Sequence, residues 1–208
     1  MTKMATNEQI ETIIKSFSQI DSCELNNLLF LKQSFYLKNV FEYAKTPSDN
    51  TFPECSLEYF CDTFTKFNEE TEDEEIDNEM ILKSKELISN DISEIIVHII
   101  YPVNTPAIFK YECSNIDITY GLILYLYTYS YQKMYDIESE TSTKQVTNIP
   151  GMINRDATDG RFGIWGHVIG DLVYNGSSSI TIYDKPYIDN NGINRVKRTL
   201  LCDFDCDS

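Results

Sequence analysis

Apolar residues in the first ninety positions recur every three or four residues, which is the spacing of an amphipathic helix. This spacing predicts four helices. The first follows a capping-box pair, Thr6 and Gln9, and the second covers residues 24–45. A third is expected after Ser56, where a serine can cap a helix, and a fourth over residues 76–88, behind an acidic run.

From residue 94 onward the pattern changes to runs of β-branched residues, which are typical of strands. EIIVHIIYP (94–102) and AIFKYEC (107–113) predict two antiparallel neighbours. SSSITIYD and INRVKRTLLCDF flank the turn signal Asn191-Gly192 and predict a hairpin. Residues 117–138 have the apolar spacing of one long helix, although their many tyrosines also favour a strand.

These patterns together predict an α+β fold, with a helical N-terminal region, a small antiparallel sheet and one long helix. We expect residues 1–90 to form the helical region and residues 91–208 to form the α+β region, or both to belong to one continuous domain. A chain of 208 residues is long enough to bury a substantial core.

The formal net charge of −16, from 33 acidic and 17 basic residues, argues against binding to a phosphate backbone or an anionic membrane. The most basic stretch, residues 195–198, is short. Eight acids lie between positions 69 and 79, and we interpret them as a solvated loop entering a helix rather than as an acidic interaction tail. No apolar run approaches the ~20 residues of a membrane span. We therefore expect neither a nucleic-acid partner nor a membrane partner.

The N-terminal residues show no secretion signal, so we expect a reducing, cytoplasmic location. The six cysteines are therefore expected to be free thiols. A metal site is disfavoured, since the chain has two histidines and neither an HExxH nor a CxxC motif. Cys202 and Cys206, among Asp203, Asp205 and Asp207, form the one alternative, and they would need further ligands from elsewhere. His98 lies in an apolar strand and is expected to be a core histidine. We predict no metal and no cofactor.

The segment 159–176, DGRFGIWGHVIGDLVYNG, holds the only tryptophan, one of the two histidines and five of the eight glycines. Glycine permits backbone conformations that other residues resist, so the cluster predicts an unusual path. We expect a compact loop that leads into a short helix and buries most of Trp165. Arg161, Trp165, His167 and Asp171 are the candidate binding residues.

The order of features over residues 95–184 resembles a family of uncharacterised proteins of eukaryotes and large DNA viruses. In that family a Tyr-rich helix ending in acids precedes an asparagine–arginine turn and a YGIWGHxxxDL box; here the box reads FGIWGHVIGDL. The Asn-, Ile- and Tyr-rich composition is similar to that of giant viruses of amoebae, so a host-cytoplasmic location is implied. The resemblance implies relatives but no mechanism.

His167 and Asp171 stand four residues apart and would share one face of a helix. They would form either a general base oriented by a carboxylate, with Arg161 or Asp159 nearby, or a buried pair that fixes the loop. No G-x-S-x-G motif supplies a nucleophile, and the glycine spacing matches no phosphate-binding loop. We therefore predict a non-enzymatic protein-interaction or structural role, with a protein partner. The alternative is a small hydrolase or transferase that uses His167 and Asp171.

Overall fold

A computed structural model describes residues 5–29, 32–38, 65–68, 73–76, 82, 85–113, 116–144, 156–167, 173–174, 179–204 and 206–207. Its helices are α1 (Asn7–Lys15), α2 (Ser22–Leu29) and α3 (Tyr120–Thr141). Its strands are β1 (Ser18–Gln19), β2 (Lys32–Lys38), β3 (Thr65–Asn68), β4 (Asp73–Ile76), β5 (Leu87–Ser89), β6 (Glu94–Ile99), β7 (Ala107–Glu112), β8 (Ile118–Thr119), β9 (Val173–Tyr174), β10 (Ser179–Ile188), β11 (Asn194–Phe204) and β12 (Cys206–Asp207).

The predicted start of the first helix is confirmed. The Gln9 backbone N–H donates to Thr6 Oγ1 at 3.3 Å, and the Thr6 N–H donates to Gln9 Oε1 at 2.8 Å, so both halves of the capping box form. Ile10 and Ile13 are buried on the inner face of α1 and belong to the main core. This helix therefore follows directly from its local sequence.

The second and fourth helices expected in the first ninety residues are borne out only in part, at α2 and at Leu82, and are wrong where strands take their place. Helix α2 ends at Leu29, and β2 follows it and pairs with β10, because long-range pairing outweighs a helical apolar spacing. Part of the acidic run forms β4, which pairs with β3 so that Glu75 stands opposite Lys66. Strand β5 lies at the end of the predicted fourth helix. The helix expected after Ser56 lies outside the described residues.

A six-stranded sheet with the order β1-β7-β6-β11-β10-β2 forms the centre of the described structure. The predicted antiparallel pair β6–β7 and the hairpin β10–β11 are both confirmed. Strand β11, however, runs parallel to β6. The sheet is therefore mixed and larger than the small antiparallel sheet that was expected, because alternation within a strand does not specify its neighbour or its direction. The α+β class itself is confirmed.

The two faces of the sheet carry different hydrophobic clusters. Ile95 and Val97 point into the larger core, to which many side chains of α3 belong. Ile96, Ile108 and Leu201 belong to a smaller cluster on the opposite face. Alternate residues of each strand therefore divide between two layers, as the pleat of a strand requires.

The predicted long helix is confirmed as α3, which begins at Tyr120 rather than at residue 117. Thr119 caps it, accepting the Leu122 N–H at 3.3 Å. Residues 120–128 are all buried, so this half of the helix is enclosed on every side. That position explains its tyrosines, which serve as core side chains. Among the described helices, none is both long enough and apolar enough to cross a membrane.

Candidate functional site

Residues 156–167, which include the first half of the glycine-rich segment, form a loop held against the β6–β7 connection. Ala157 and Trp165 face each other in an antiparallel bridge, and Val103 pairs in the same way with Ile164. The Thr158 N–H donates to the Ile164 carbonyl at 2.8 Å. The backbone therefore closes on itself as a compact loop. Residues 168–172, where the short helix was expected, lie outside the described residues.

One buried carboxylate, that of Glu138 near the end of α3, fastens this loop. Glu138 is 1% exposed and accepts three hydrogen bonds from the loop. The donors are the Thr158 hydroxyl, the Gly160 N–H at 3.0 Å and the Phe162 N–H at 2.7 Å. The sequence analysis missed Glu138, because nothing local distinguishes it from the exposed Glu140 two positions later.

At two positions of the loop the geometry of the backbone requires a glycine. A Cβ atom on Gly160 would lie 2.6 Å from Glu138 Oε1, so any side chain there would push the carboxylate away. Gly163 has a φ of +64°, a left-handed conformation that glycine adopts without steric cost. The glycine density therefore allows the backbone to approach Glu138 and then turn sharply.

A second carboxylate, that of Asp159, joins the loop to the end of α3. It accepts hydrogen bonds from the Ser142 hydroxyl at 2.7 Å, the Thr143 N–H at 2.8 Å and the Lys144 N–H at 3.1 Å. The Thr143 hydroxyl donates to its other oxygen at 2.5 Å. The hydrogen bonds from Thr143 and Ser142 hold the pKa of the exposed Asp159 carboxyl well below its usual range. Asp159 is therefore a structural anchor in this arrangement.

Trp165 and His167 form an aromatic cluster with Tyr101, which lies just after β6. The Tyr101 and Trp165 rings meet edge to face at 5.1 Å between centroids, and the Trp165 and His167 rings at 5.8 Å. All three side chains are partly buried, so Trp165 is not fully enclosed in the core. The cluster therefore lies near the surface, and each of its three residues is partly exposed.

Hydrogen bonds from three tyrosines fix the aromatic cluster. The Tyr101 hydroxyl lies 2.8 Å from His167 Nε2, and the Tyr135 hydroxyl donates to the His167 carbonyl at 2.8 Å. The Tyr131 hydroxyl donates to the Tyr101 carbonyl, also at 2.8 Å. Tyr101 lies 66 positions from His167, and no sequence signal linked them. Asp171, the expected partner of His167, lies outside the described residues, so that pairing stays a prediction.

Arg161 lies apart from this cluster. Its backbone N–H donates to Thr141 Oγ1 at 2.9 Å, and the residue lines a cleft of about 570 Å³ at the edge of the sheet. Trp165 and His167 do not line that cleft. The loop therefore presents its candidate binding residues at two separate places.

The other candidate positions take structural roles. His98 Nδ1 lies 2.6 Å from Asp203 Oδ1 across the parallel pair β6–β11, so His98 is a partly buried histidine whose ring nitrogen has a hydrogen-bond partner within the sheet. Cys202 is completely buried, and its burial raises the pKa of the thiol, which disfavours the thiolate that a metal needs. Within the described ranges, no group of three or more His, Cys, Asp or Glu side chains is placed to hold a metal ion.

The basic stretch at residues 195–198 is largely neutralised within the fold. Arg195 pairs with Asp189 at 3.2 Å, and Lys197 pairs with Glu94 at 2.5 Å. Arg198 contacts the carboxylates of Asp184, at 2.7 Å, and Asp91, and these contacts raise the pKa of its guanidinium. Arg195 and Arg198 therefore pair within the hairpin β10–β11, and Lys197 and Arg198 also connect the hairpin to β6 and the residues just before it.

Comparison of the chain with protein families, curated proteins and solved structures found no match. The resemblance carried by the FGIWGHVIGDL box therefore stays a prediction. Inference about function rests on the geometry of the loop and its surroundings.

Proposed function

We propose that this protein acts by binding a protein partner through the cluster of Tyr101, Trp165 and His167, and that it is not an enzyme. The observation that carries the proposal is that the polar groups in and around the loop are already engaged in hydrogen bonds within the protein. Glu138 and Asp159 are engaged in holding the loop backbone, and His167 is held through both its ring and its carbonyl. Apart from the exposed Arg161, which lies at a separate place, the loop presents the partly exposed aromatic residues Trp165 and His167.

Such a surface has the character of a binding hot spot. Tryptophan and tyrosine are enriched among the residues that dominate interface energies. The backbone carbonyls of Tyr101 and His167 are held by hydrogen bonds from Tyr131 and Tyr135, and the Tyr101 hydroxyl lies 2.8 Å from His167 Nε2. Because this part of the cluster is already ordered, binding a partner costs little additional conformational entropy there. The intracellular setting expected from the sequence, the cytoplasm of the cell or of a viral host, belongs to the same proposal.

Affinity capture from the cells that express the protein tests the proposal. We expect a defined partner to be retained by the wild type and reduced at least about tenfold by Trp165→Ala, a loss of roughly 1.4 kcal/mol or more in binding free energy. Tyr187→Ala is the matched control, because Tyr187 is an exposed aromatic on the hairpin β10–β11, away from the loop. Equal capture by wild type, Trp165→Ala and Tyr187→Ala would refute the role of the cluster.

The alternative, a small hydrolase or transferase that uses His167, gains one specific observation. The Tyr101 hydroxyl at 2.8 Å from His167 Nε2 is a hydroxyl paired with a possible base, which the sequence alone did not supply. Tyr101→Phe separates the two functions, because it removes the hydroxyl while keeping the ring that contacts Trp165. Partner binding retained in Tyr101→Phe supports a binding surface, whereas loss of a measured hydrolytic activity with an unchanged melting temperature supports the enzyme.

A further inference from the structure

A cleft lies away from the aromatic cluster, where the loop passes the edge of the sheet. It has a volume of about 570 Å³, within the range of small-molecule sites. Its base is apolar and its rim is polar, so it has the mixed lining that orients a small ligand. The lining residues on which the argument depends are Ile20, Asp21, Glu24, Ile108, Arg161 and Phe162.

The apolar base is rigid. Ile20, Ile108 and Phe162 are each at least nine-tenths buried, and Phe162 packs edge to face on Phe109. The Ile20 N–H donates to the Ile108 carbonyl at 3.0 Å, which holds the two sides of the cleft together. An apolar group entering the cleft would therefore meet a preformed surface.

The charged groups of the rim differ in how far they are already engaged. Lys110 Nζ lies 2.9 Å from Glu24 Oε1, so the charge of Glu24 is compensated. Asp21 uses Oδ1 to cap α2, accepting the Glu24 N–H at 2.9 Å, and no described residue donates to its Oδ2. The Arg161 guanidinium makes no ion pair with any acid in the part of the chain that the structure describes, although the chain holds 33 acidic residues. The cleft therefore offers one unpaired cation and one half-engaged anion above an apolar base.

A ligand that matches this arrangement carries both charges. A simple carboxylate would pair with Arg161 but would be repelled by Asp21, and a simple amine would pair with Asp21 but would be repelled by Arg161. A zwitterion satisfies both groups and has no net charge to be repelled. We propose that the cleft binds a free amino acid with a large apolar side chain, with its carboxylate on Arg161, its ammonium on Asp21 and its side chain against Ile20 and Ile108.

Titrations with three probes test this site, followed by the amide NMR signals of the cleft residues. The probes are L-phenylalanine, 3-phenylpropionate, which lacks the ammonium, and phenethylamine, which lacks the carboxylate. We expect L-phenylalanine to shift the signals of Ile108 and Phe162, and each analogue to bind at least about tenfold more weakly, which corresponds to roughly 1.4 kcal/mol.

Two variants test which charged group of the ligand each of the two side chains binds. Arg161→Gln should weaken L-phenylalanine binding at least about tenfold and leave phenethylamine no weaker than before. Asp21→Asn should remove the preference for L-phenylalanine over 3-phenylpropionate, while an asparagine still caps α2 and preserves the fold. Arg195→Gln is the control, because Arg195 is an exposed arginine on the hairpin and does not line the cleft.

The proposal is overturned if L-phenylalanine causes no shift up to its solubility limit, or if either analogue binds as well as L-phenylalanine. It is also overturned if Arg161→Gln binds L-phenylalanine as tightly as Arg195→Gln does. None of these measurements depends on the protein partner, so the amino-acid site can fail while the aromatic binding surface stands.

Discussion

Replacing Glu138 with alanine should release the glycine-rich loop. The substitution removes the acceptor of three hydrogen bonds and leaves the buried Phe162 N–H and the half-buried Gly160 N–H without their acid partner. The Thr158 hydroxyl keeps an acceptor, because the Ile164 carbonyl lies 3.2 Å away. An unsatisfied buried donor costs ~1–3 kcal/mol, so two donors predict a loss of roughly 2–6 kcal/mol in the free energy of unfolding. For a chain of this size that corresponds to a fall of roughly 4–24 °C in melting temperature.

Glu138→Gln should cause a smaller loss of stability through the same hydrogen bonds. Its remaining carbonyl oxygen can accept from Thr158 and Gly160, but its amide would place a donor against the Phe162 N–H, which faces Oε2 in the native protein. One unsatisfied pair predicts a loss of about 1–3 kcal/mol, between the wild type and Glu138→Ala. Chemical denaturation measures the loss in the free energy of global unfolding. Hydrogen exchange at Gly160 and Phe162 detects opening of the loop even if the remainder of the fold stays intact.

Glu140→Ala is the matched control, because Glu140 lies on the same helix and its side chain is exposed. It should change the free energy of unfolding by less than ~0.5 kcal/mol, as surface substitutions usually do. The reasoning is refuted if Glu138→Ala changes neither the denaturation midpoint nor the exchange of the loop amides by more than Glu140→Ala does.

Three further predictions concern other parts of the chain. The lowered pKa of Asp159 means that its stabilising contribution is complete above the ordinary carboxyl pKa near 3.8 and is lost as the pH falls through the lower folded value. The melting temperature of Asp159→Asn should therefore differ from that of the wild type at neutral pH and converge with it in strong acid. A difference in melting temperature that stays constant with pH would contradict this. Because Trp165 is partly exposed, iodide should quench its fluorescence to a degree between that of the unfolded chain and that of a buried tryptophan. Alkylation of the native protein should modify the exposed Cys23 before Cys113 and Cys202, since burial raises the pKa of the Cys113 thiol to about 12 and that of the Cys202 thiol well above its usual value. Equal alkylation rates of these three cysteines by mass spectrometry would show that Cys113 and Cys202 are not buried.

Several parts of the fold could be predicted from the sequence alone. The capping box at Thr6, the helix α3, the antiparallel neighbours β6 and β7, and the turn at Asn191-Gly192 all appear where their local patterns placed them. Each depends on hydrogen bonds or side-chain spacing between residues close together in the chain. The glycine-rich segment was also correctly identified as an unusual backbone path, because glycine density reports directly on backbone conformation.

The tertiary structure alone decided which residues meet across long separations. A strand pattern does not specify its partner, so the pairing of β2 with β10 and the parallel contact of β11 with β6 were not predictable. The same holds for the candidate site. Glu138 became the anchor of the loop, and Tyr101 the partner of His167, because the packing of α3 and the β6–β7 connection brings them there. Hydrogen bonds of this kind depend on distance in space, and nothing in the local sequence shows that Glu138 is buried against the loop while Glu140, two positions later, is exposed.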